Sequence, residues 1–542
     1  MEALDRKLLR DFMRLWAQFL AIALVLAAGV AVLLMSLGMS RALEETRSTY
    51  YERNRFADVF IDARSVPKSL LPVIRDIEGV TAVEARVTTH ATLDIPGKQA
   101  ATVAYVASLP PGEALLNVPL LRRGAWPDPE ATAEVVLNAP FAEANGLYPG
   151  DEIVANLNGT ERRLTVTGWA LSPEFIYTIG PGSLIPDNEN YGIAWMPERA
   201  LAALLDRTGA FDNLAVKIRS DTRPEQVIDA LDRLLAPYGA WGGIGRADQT
   251  SNAFIDGEIN QLKTLAYILP PVFLGITIFL VNMVMGRIVA LERAEVGLLK
   301  ALGYTDGAIL SHYLLLAGLV AAVGITLGFA LGGWLSYQLA ILYADFFDFP
   351  YLIYNVSWNT YLVAGLLGML AATLGAARAA WRAARLAPAT AMAPPPPPRF
   401  HRNWLDRSLS RLRVSQPTMM ILRSLIRWPF RAAMSVLGMS LAVAILVASN
   451  FFPDSLDHII DSAFQQSNRQ HAVLFFNDAM PESALDEARR LPGVLQAEGQ
   501  QYLAVVLRHE HREKRAVIEA RRPGNDLSIT EVFYQETSRA GH

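Results

Sequence analysis

The chain is 542 residues long and 52% hydrophobic, with a mean hydropathy of +0.22. That is too apolar for a wholly soluble protein and too polar for one built only of membrane helices, so spans must alternate with sizeable soluble domains. The absence of cysteine excludes a disulfide framework and any thiolate metal site, and the net charge of −4 singles out no partner, because the distribution of charge carries that information.

Residues 1–15 place Arg6, Lys7, Arg10 and Arg14 among Leu4, Leu8, Leu9, Phe12 and Leu15, the pattern of a basic amphipathic helix lying on a membrane surface. Trp16–Ser40 then runs without a charge. It is long enough to span and too long for the apolar core of a cleaved signal peptide. Residues 1–40 therefore read as a surface helix followed by an uncleaved first span.

Residues 41–263 read as a soluble α+β domain. Phe56–Asp62, Val80–Ile95 and Ala101–Ala107 have strand character and Pro67–Ile77 helical character; Leu214–Ile218 and Pro224–Tyr238 repeat the order strand, then helix. A β-rich insert holds strands at Val135–Asn138, Asp151–Leu157 and Arg163–Trp169, with turns at Asn145-Gly146 and Pro149-Gly150-Asp151. No ligand cluster or nucleophile motif stands out. Glu174, Asp187 and Glu189 read as solvated loop acids rather than a catalytic pair.

Residues 264–381 supply three more spans, Thr264–Met285, Ile309–Leu339 and Thr360–Ala377. Pro270-Pro271 should kink or restart the first of these. Gly324, Gly328 and Gly332, four residues apart, let two helix backbones approach closely in lipid. Between the second and third spans lies the charged loop Gly286–Asp306. In it Leu291, Val296, Leu299 and Leu302 recur at helical spacing, while Glu292, Arg293, Glu295 and Lys300 take other faces. Gly303 suits a helix C-cap, and Thr305 or Asp306 can cap the next helix. Residues 287–303 thus read as a short amphipathic helix held at the membrane face.

Arg378–Arg431, which includes the linker 382–431, holds eleven arginines against one acid, Asp406, whereas Tyr343–Trp358 has two acids and no Lys or Arg. The positive-inside rule then places the N-terminus, the Gly286–Asp306 loop and the arginine-rich segment in the cytoplasm, with residues 41–263 outside. Pro394–Pro398 should form a stiff spacer. Residues 432–452 form a fifth span. In residues 453–542, Val473-Leu474, Gly493-Val494 and Glu498 each stand 414 positions after Val59-Phe60, Gly79-Val80 and Glu84, which indicates an internal duplication. By that offset His542 matches Asp128, so the second soluble domain is expected to be incomplete, as in a C-terminally truncated polypeptide. His509 and His511, flanked by Arg508, Glu510 and Arg512, read as exposed hairpin residues rather than a metal site. No Walker A pattern occurs, so any ATP used is bound by another chain.

The run Glu292-Arg293-Ala294-Glu295-Val296-Gly297-Leu298-Leu299-Lys300-Ala301-Leu302-Gly303 resembles the signature loop of the FtsX/MacB-like permeases of ABC transporters. The resemblance covers nearly the whole chain, as a duplicated-unit member. It implies an α-helical membrane protein of the bacterial inner membrane, with α+β periplasmic domains and five transmembrane helices present. It further implies that residues 287–303 are the coupling helix that docks into a separate ATPase subunit. Glu292, Arg293, Glu295 and Lys300 would pair with the ATPase surface, and Leu298, Leu299 and Leu302 would fill its groove. Leu291, Val296, Gly297 and Gly303 complete that helix. The implied function is a non-enzymatic permease subunit, without cofactors of its own, that couples ATP and Mg chemistry on the partner to export or membrane extraction of a hydrophobic or amphipathic cargo. Implied partners are the ATPase, membrane lipids, a periplasmic adaptor and a second permease unit in a dimer or pseudo-dimer. The alternative is a non-transporting signalling scaffold that activates a periplasmic hydrolase or a sensor kinase; a membrane enzyme has no catalytic constellation to support it.

Overall fold

The computed structural model describes residues 3–98, 102–181, 183, 185–240, 242–392, 415, 418, 429–462, 467–474, 476, 480–509, 512–522 and 527–528. The expected spacer Pro394–Pro398, most of the arginine-rich linker and His511 lie outside these residues. Two units are distinguished, Met1–Ala442 and Val443–His542.

In the first unit, helix α1 (Ala3–Arg14) meets α2 (Trp16–Arg53) at Leu15 with no intervening loop. Helix α2 does not stop at Ser40 but continues into the soluble domain. Its extension contains neither Gly nor Pro, and Leu43, Tyr50 and Tyr51 are buried there. The soluble domain follows as β1 (Val59–Pro67), α3 (Leu71–Arg75), β2 (Val80–Arg86), β3 (Thr88–Asp94), β4 (Thr102–Leu109), β5 (Leu120–Gly124), β6 (Glu134–Asn138), α4 (Ala139–Ala144), β7 (Glu152–Leu157), β8 (Thr160–Leu171), β9 (Tyr191–Pro197), α5 (Glu198–Leu204), β10 (Ala210–Ile218), α6 (Pro224–Leu235) and β11 (Ile244–Gly245). The chain then returns through α7 (Thr250–Leu291), α8 (Arg293–Ala301), α9 (Asp306–Phe346), α10 (Trp358–Ala384) and α11 (Pro388–Met392).

The strands form two sheets. One has the order β11-β1-β10-β2, antiparallel throughout, with α6 covering a core of Val59, Ile61, Leu214, Val216, Val227 and Leu231. The other has the order β5-β8-β6-β9-β4-β3-β7, and β7 pairs back onto β8, closing a ring with β5 outside it. Ala104, Leu137, Phe141, Ile153, Val166 and Trp169 fill its interior. Strand β9, not anticipated from sequence, is central to that sheet: it runs parallel to β4 and antiparallel to β6.

Glu174 corrects an expectation: it is buried rather than solvated. Arg86 on β2 donates to both of its carboxylate oxygens, at 2.6 and 2.9 Å, and Asn117 donates to it at 2.9 Å. Arg86 also reaches Asn213 on β10 at 2.6 Å, and the side chain of Gln249, which caps α7, donates to the Glu174 carbonyl at 2.9 Å. One buried ion pair thus joins both sheets to the head of α7.

Helices α2, α7, α9 and α10 are each long and apolar enough to cross a membrane, as is the later helix Pro429–Asp461 over its Val436–Asp461 part. Gly324, Gly328 and Gly332 of α9 lie against α2. A Cβ on them would meet the Ala23 carbonyl oxygen at 2.8 Å, Val30 Cβ at 2.7 Å and Ala31 Cα at 2.8 Å, so only glycine permits this approach. Helix α7 passes through Pro270-Pro271 without restarting. Packing overrides the two missing N–H groups: Phe273 sits against Gly29 of α2, and Gly375 of α10 admits Val281.

In the second unit, helix Ser483–Arg489 precedes an antiparallel hairpin of β12 (Gln500–His509) and β13 (Arg512–Arg521). Shifted by 414 positions, these overlie α3 and the β3–β4 hairpin. Tyr502 pairs with Glu519, whereas the register of the first copy, Thr88 with Ala107, would have paired it with Arg521. The two-residue slip preserves which side chains share a face.

Candidate functional site

The short helix α8 sits at the end of the helical bundle away from the soluble domain, because α7 enters it from that domain and α9 leaves it. Glu292 is the one residue between α7 and α8. Its N–H donates to the Ile288 carbonyl at 2.9 Å, and its carbonyl accepts from Val296 at 3.0 Å, so it closes one helix and opens the next. The other end closes through a glycine in the left-handed region. Gly303 has φ +96°, its N–H donates to the Lys300 carbonyl at 3.0 Å, and Tyr304 donates to Leu299 at 3.2 Å. The Thr305 hydroxyl then accepts from Ala308 at 3.2 Å and caps α9.

The charged residues of α8 do not all face outward. Glu292 is only 2% exposed. Arg14 donates to it at 2.8 Å, Lys7 at 3.1 Å and the Tyr313 hydroxyl at 3.2 Å. Its carboxylate also lies at the N-terminus of α8, where the helix dipole favours negative charge. Lys300 points to the opposite end of the bundle's floor. It donates to the carbonyls of Ala384 and Leu386 (2.8 Å to the latter), where α10 exposes its unsatisfied C-terminal carbonyls, and it pairs with Asp306 at 2.8 Å. Arg293 donates to the Thr390 carbonyl in α11. Gly297 backs onto Ala391 and Met392, with no room for a side chain. Glu292 and Lys300, expected from the sequence to pair with a partner's surface, are thus placed against the permease itself, where both brace the helix from within. Glu295 is half-exposed, with one oxygen on Lys7 at 2.9 Å.

The apolar residues show the converse. Val296 is buried, and Leu299 is half-buried. Leu291 is 73% exposed, Leu298 55% and Leu302 70%, with Ala294 and Ala301 open beside them. The grouping of Leu291 and Leu302 with Val296 on one face is thus overturned. An uncovered apolar stripe runs along a helix whose other sides are held by α1, α10 and α11.

Family models match two stretches of the chain: the MacB-like periplasmic core domain over residues 19–234 and the FtsX-like permease C-terminal over residues 267–388. The chain is an FtsX/MacB-like permease. Its α+β domain is the MacB-like periplasmic part of the membrane protein, and α8, with most of α7 and all of α9 and α10, belongs to the FtsX-like part. Among solved structures, the periplasmic region of MacB from Actinobacillus actinomycetemcomitans is similar at 13% identity with a TM-score of 0.26, covering 39% of this chain and 95% of its own. The extracellular domain of the noncanonic ABC-type transporter YknZ from Gram-positive bacteria is similar at 13% identity with a TM-score of 0.24, covering 34% and 97%. A comparison with curated proteins found no match. The permease is thus of ABC-transporter type and crosses the membrane several times.

Sequence reasoning missed the residues that brace α8, namely Lys7, Asp11, Arg14 and Tyr313, and the carbonyls at the end of α10. A signal existed for the first three: Lys7, Asp11 and Arg14 follow at intervals of four and three, one face of a helix, with an acid among the bases. That face holds protein charge rather than lipid headgroups.

Proposed function

We propose that this permease couples ATP hydrolysis on a separate ATPase subunit to export, or membrane extraction, of a hydrophobic or amphipathic cargo, with α8 as its docking element. The observation that carries this reading is the open stripe of Leu291, Leu298 and Leu302 on a helix braced on its other sides. A contiguous exposed apolar stripe on a fixed scaffold suits burial in a partner's groove. The half-exposed Glu295 offers a polar group beside that stripe.

The route outward is mechanical. Helices α2 and α7 run unbroken from the α8 end into the periplasmic-type domain. There Arg47 pairs with Asp256, Lys263 with Glu44 at 2.9 Å and Tyr343 with Glu258, and the Thr46 hydroxyl accepts from Ile353 at 3.0 Å. Tyr50, Tyr51, Phe56, Tyr177, Ile255 and Phe347 pack into one apolar junction around these ties. A tilt at α8 therefore reaches the soluble domain through stiff elements rather than loops. In this reading the N-terminus and α8 face the cytoplasm of a bacterial cell and residues 59–245 face the periplasm across the inner membrane, in keeping with the eleven arginines of Arg378–Arg431. ATP and Mg belong to the ATPase, the active assembly contains two permease units, and a periplasmic adaptor extends it outward.

The test is co-expression with the ATPase encoded nearest to this chain, followed by detergent purification of wild type and Leu298→Asp. The ATPase should accompany wild type and be lost from Leu298→Asp at equal membrane yield. Wild type that never retains an ATPase would overturn the reading.

A further inference from the structure

Helix α1 is more than a surface float. Lys7 lies at the centre of a small charge cluster, donating to Asp11 at 2.7 Å on its own helix and to Glu292 and Glu295 at the start of α8. Arg14 takes the other oxygen of Glu292, and Tyr313, about two turns inside α9, completes its coordination. Asp11 is itself buried. Below the charges, Leu8, Phe12 and Leu15 pack on the core that contains Ile288, Val289, Val296 and Tyr313. The connection onward is equally firm. Leu15 donates to the Asp11 carbonyl at 3.1 Å, and its own carbonyl accepts from Gln18 and Phe19 at 3.0 and 3.1 Å, so the hydrogen-bond ladder continues across the bend. Phe12 stacks on Phe19 at 5.5 Å with an interplanar angle of 19°.

We propose that α1 is the positioning clamp of α8: the buried Glu292 carboxylate binds α1, α8 and the foot of α9 into one body. A displacement of α8 then reaches α2 directly through Leu15, as a second route beside α7 and α9. The physical reason is the cost asymmetry of a buried charge: the Glu292 carboxylate is buried, so removing Lys7 or Arg14 leaves its charge poorly compensated, at a cost larger than the pair gains by forming. Its consequence for transport rests on the reading of α8 as the docking element, but the clamp itself does not.

The chain has no cysteine, so two introduced thiols can be spin-labelled without background. Arg10→Cys on α1 and Ala301→Cys on α8 are both at exposed positions. In the full chain reconstituted in liposomes, their dipolar distance should form one narrow population. It should broaden in Glu292→Gln and in Arg14→Met, a half-exposed residue whose loss leaves the core intact. Lys7→Arg should keep the narrow population, and Lys7→Met should lose it. A distribution that stays narrow in Glu292→Gln and Arg14→Met would overturn the clamp. With the partner ATPase present, Arg14→Met should bind it with wild-type affinity yet lose permease-stimulated ATP turnover; loss of binding together with turnover would reduce Arg14 to a fold-stabilising role and overturn its part in transmission. Failure of wild type to bind any ATPase would refute the proposed function while leaving the label distances to decide the clamp.

Discussion

Replacing Leu291, Leu298 and Leu302 together by alanine should weaken ATPase binding without harming the permease itself. The three exposures amount to about two whole leucine side chains left open. Full burial of a leucine is worth about 1.5–3 kcal/mol, so the stripe offers about 3–6 kcal/mol to a partner that covers it. Alanine keeps the Cβ and forfeits roughly two-thirds of that, about 2–4 kcal/mol, which weakens Kd by about 30- to 1,000-fold. The measurement is biolayer interferometry of the ATPase on immobilised permease in nanodiscs. Because the stripe is open in the permease alone, thermal stability of the variant should match wild type. Two results would refute the reasoning. An unchanged Kd would mean that the leucines face lipid rather than protein. A fall in stability equal to the loss of binding would mean that they are packed within the permease.

Three further outcomes follow from the packing. Gly328→Val should force α9 from α2, since its Cβ starts 2.7 Å from Val30 Cβ with the Ala27 carbonyl oxygen at 3.0 Å; detergent thermostability should fall by the about 1–3 kcal/mol typical of overpacking, and Val30→Ala should restore part of it. Arg86→Met should cost about 3–5 kcal/mol by leaving the Glu174 carboxylate buried against Asn117 alone, whereas Arg86→Met with Glu174→Leu should recover most of it, measured as a double-mutant cycle in urea. Asp348, in the loop between α9 and α10, has its pKa pushed up to about 8 by burial and by Asp345. The folded chain then holds a proton that the unfolded chain, with an ordinary value of 3.8, releases; stability therefore falls as pH rises between about 4 and 8. Asp348→Asn, which carries no titrating charge, should gain nothing over wild type from this source below about pH 4 and should gain progressively more up to about pH 8. A gain equal at every pH would instead reflect only the preference of asparagine for the left-handed φ of +46° at this position.

Local signals in the chain were enough for several elements. The charge-free run from Trp16, the apolar segments on either side of Gly286–Asp306, the glycine at position 303 and the threonine at 305 all act within one or two helical turns, and each is readable from neighbours. Strands of the soluble domain were legible where apolar residues alternate, as in Asp151–Leu157, and one was missed where burial on both faces erases alternation. Tyr191–Pro197 is such a case, buried at nearly every position.

The orientation of side chains was decided by partners far away in sequence. Amphipathic spacing in residues 287–303 separates leucines from charges but does not say which side meets the rest of the chain. By itself the pattern suggests charges outward. Tertiary structure reversed this because Lys7 and Arg14, 285 and 278 residues away from Glu292, and the carbonyls at the end of α10 satisfy the charges internally. Glu174 was reversed for the same reason, by Arg86 in a different strand. A charge is stable wherever an opposite charge or dipole waits for it, and an apolar side chain is stable in the open only until a partner covers it. Composition and spacing determined that this chain spans a membrane and carries a short rigid helix between spans. Only the packing of α1 and α10 around that helix decided which of its residues remain free to be touched.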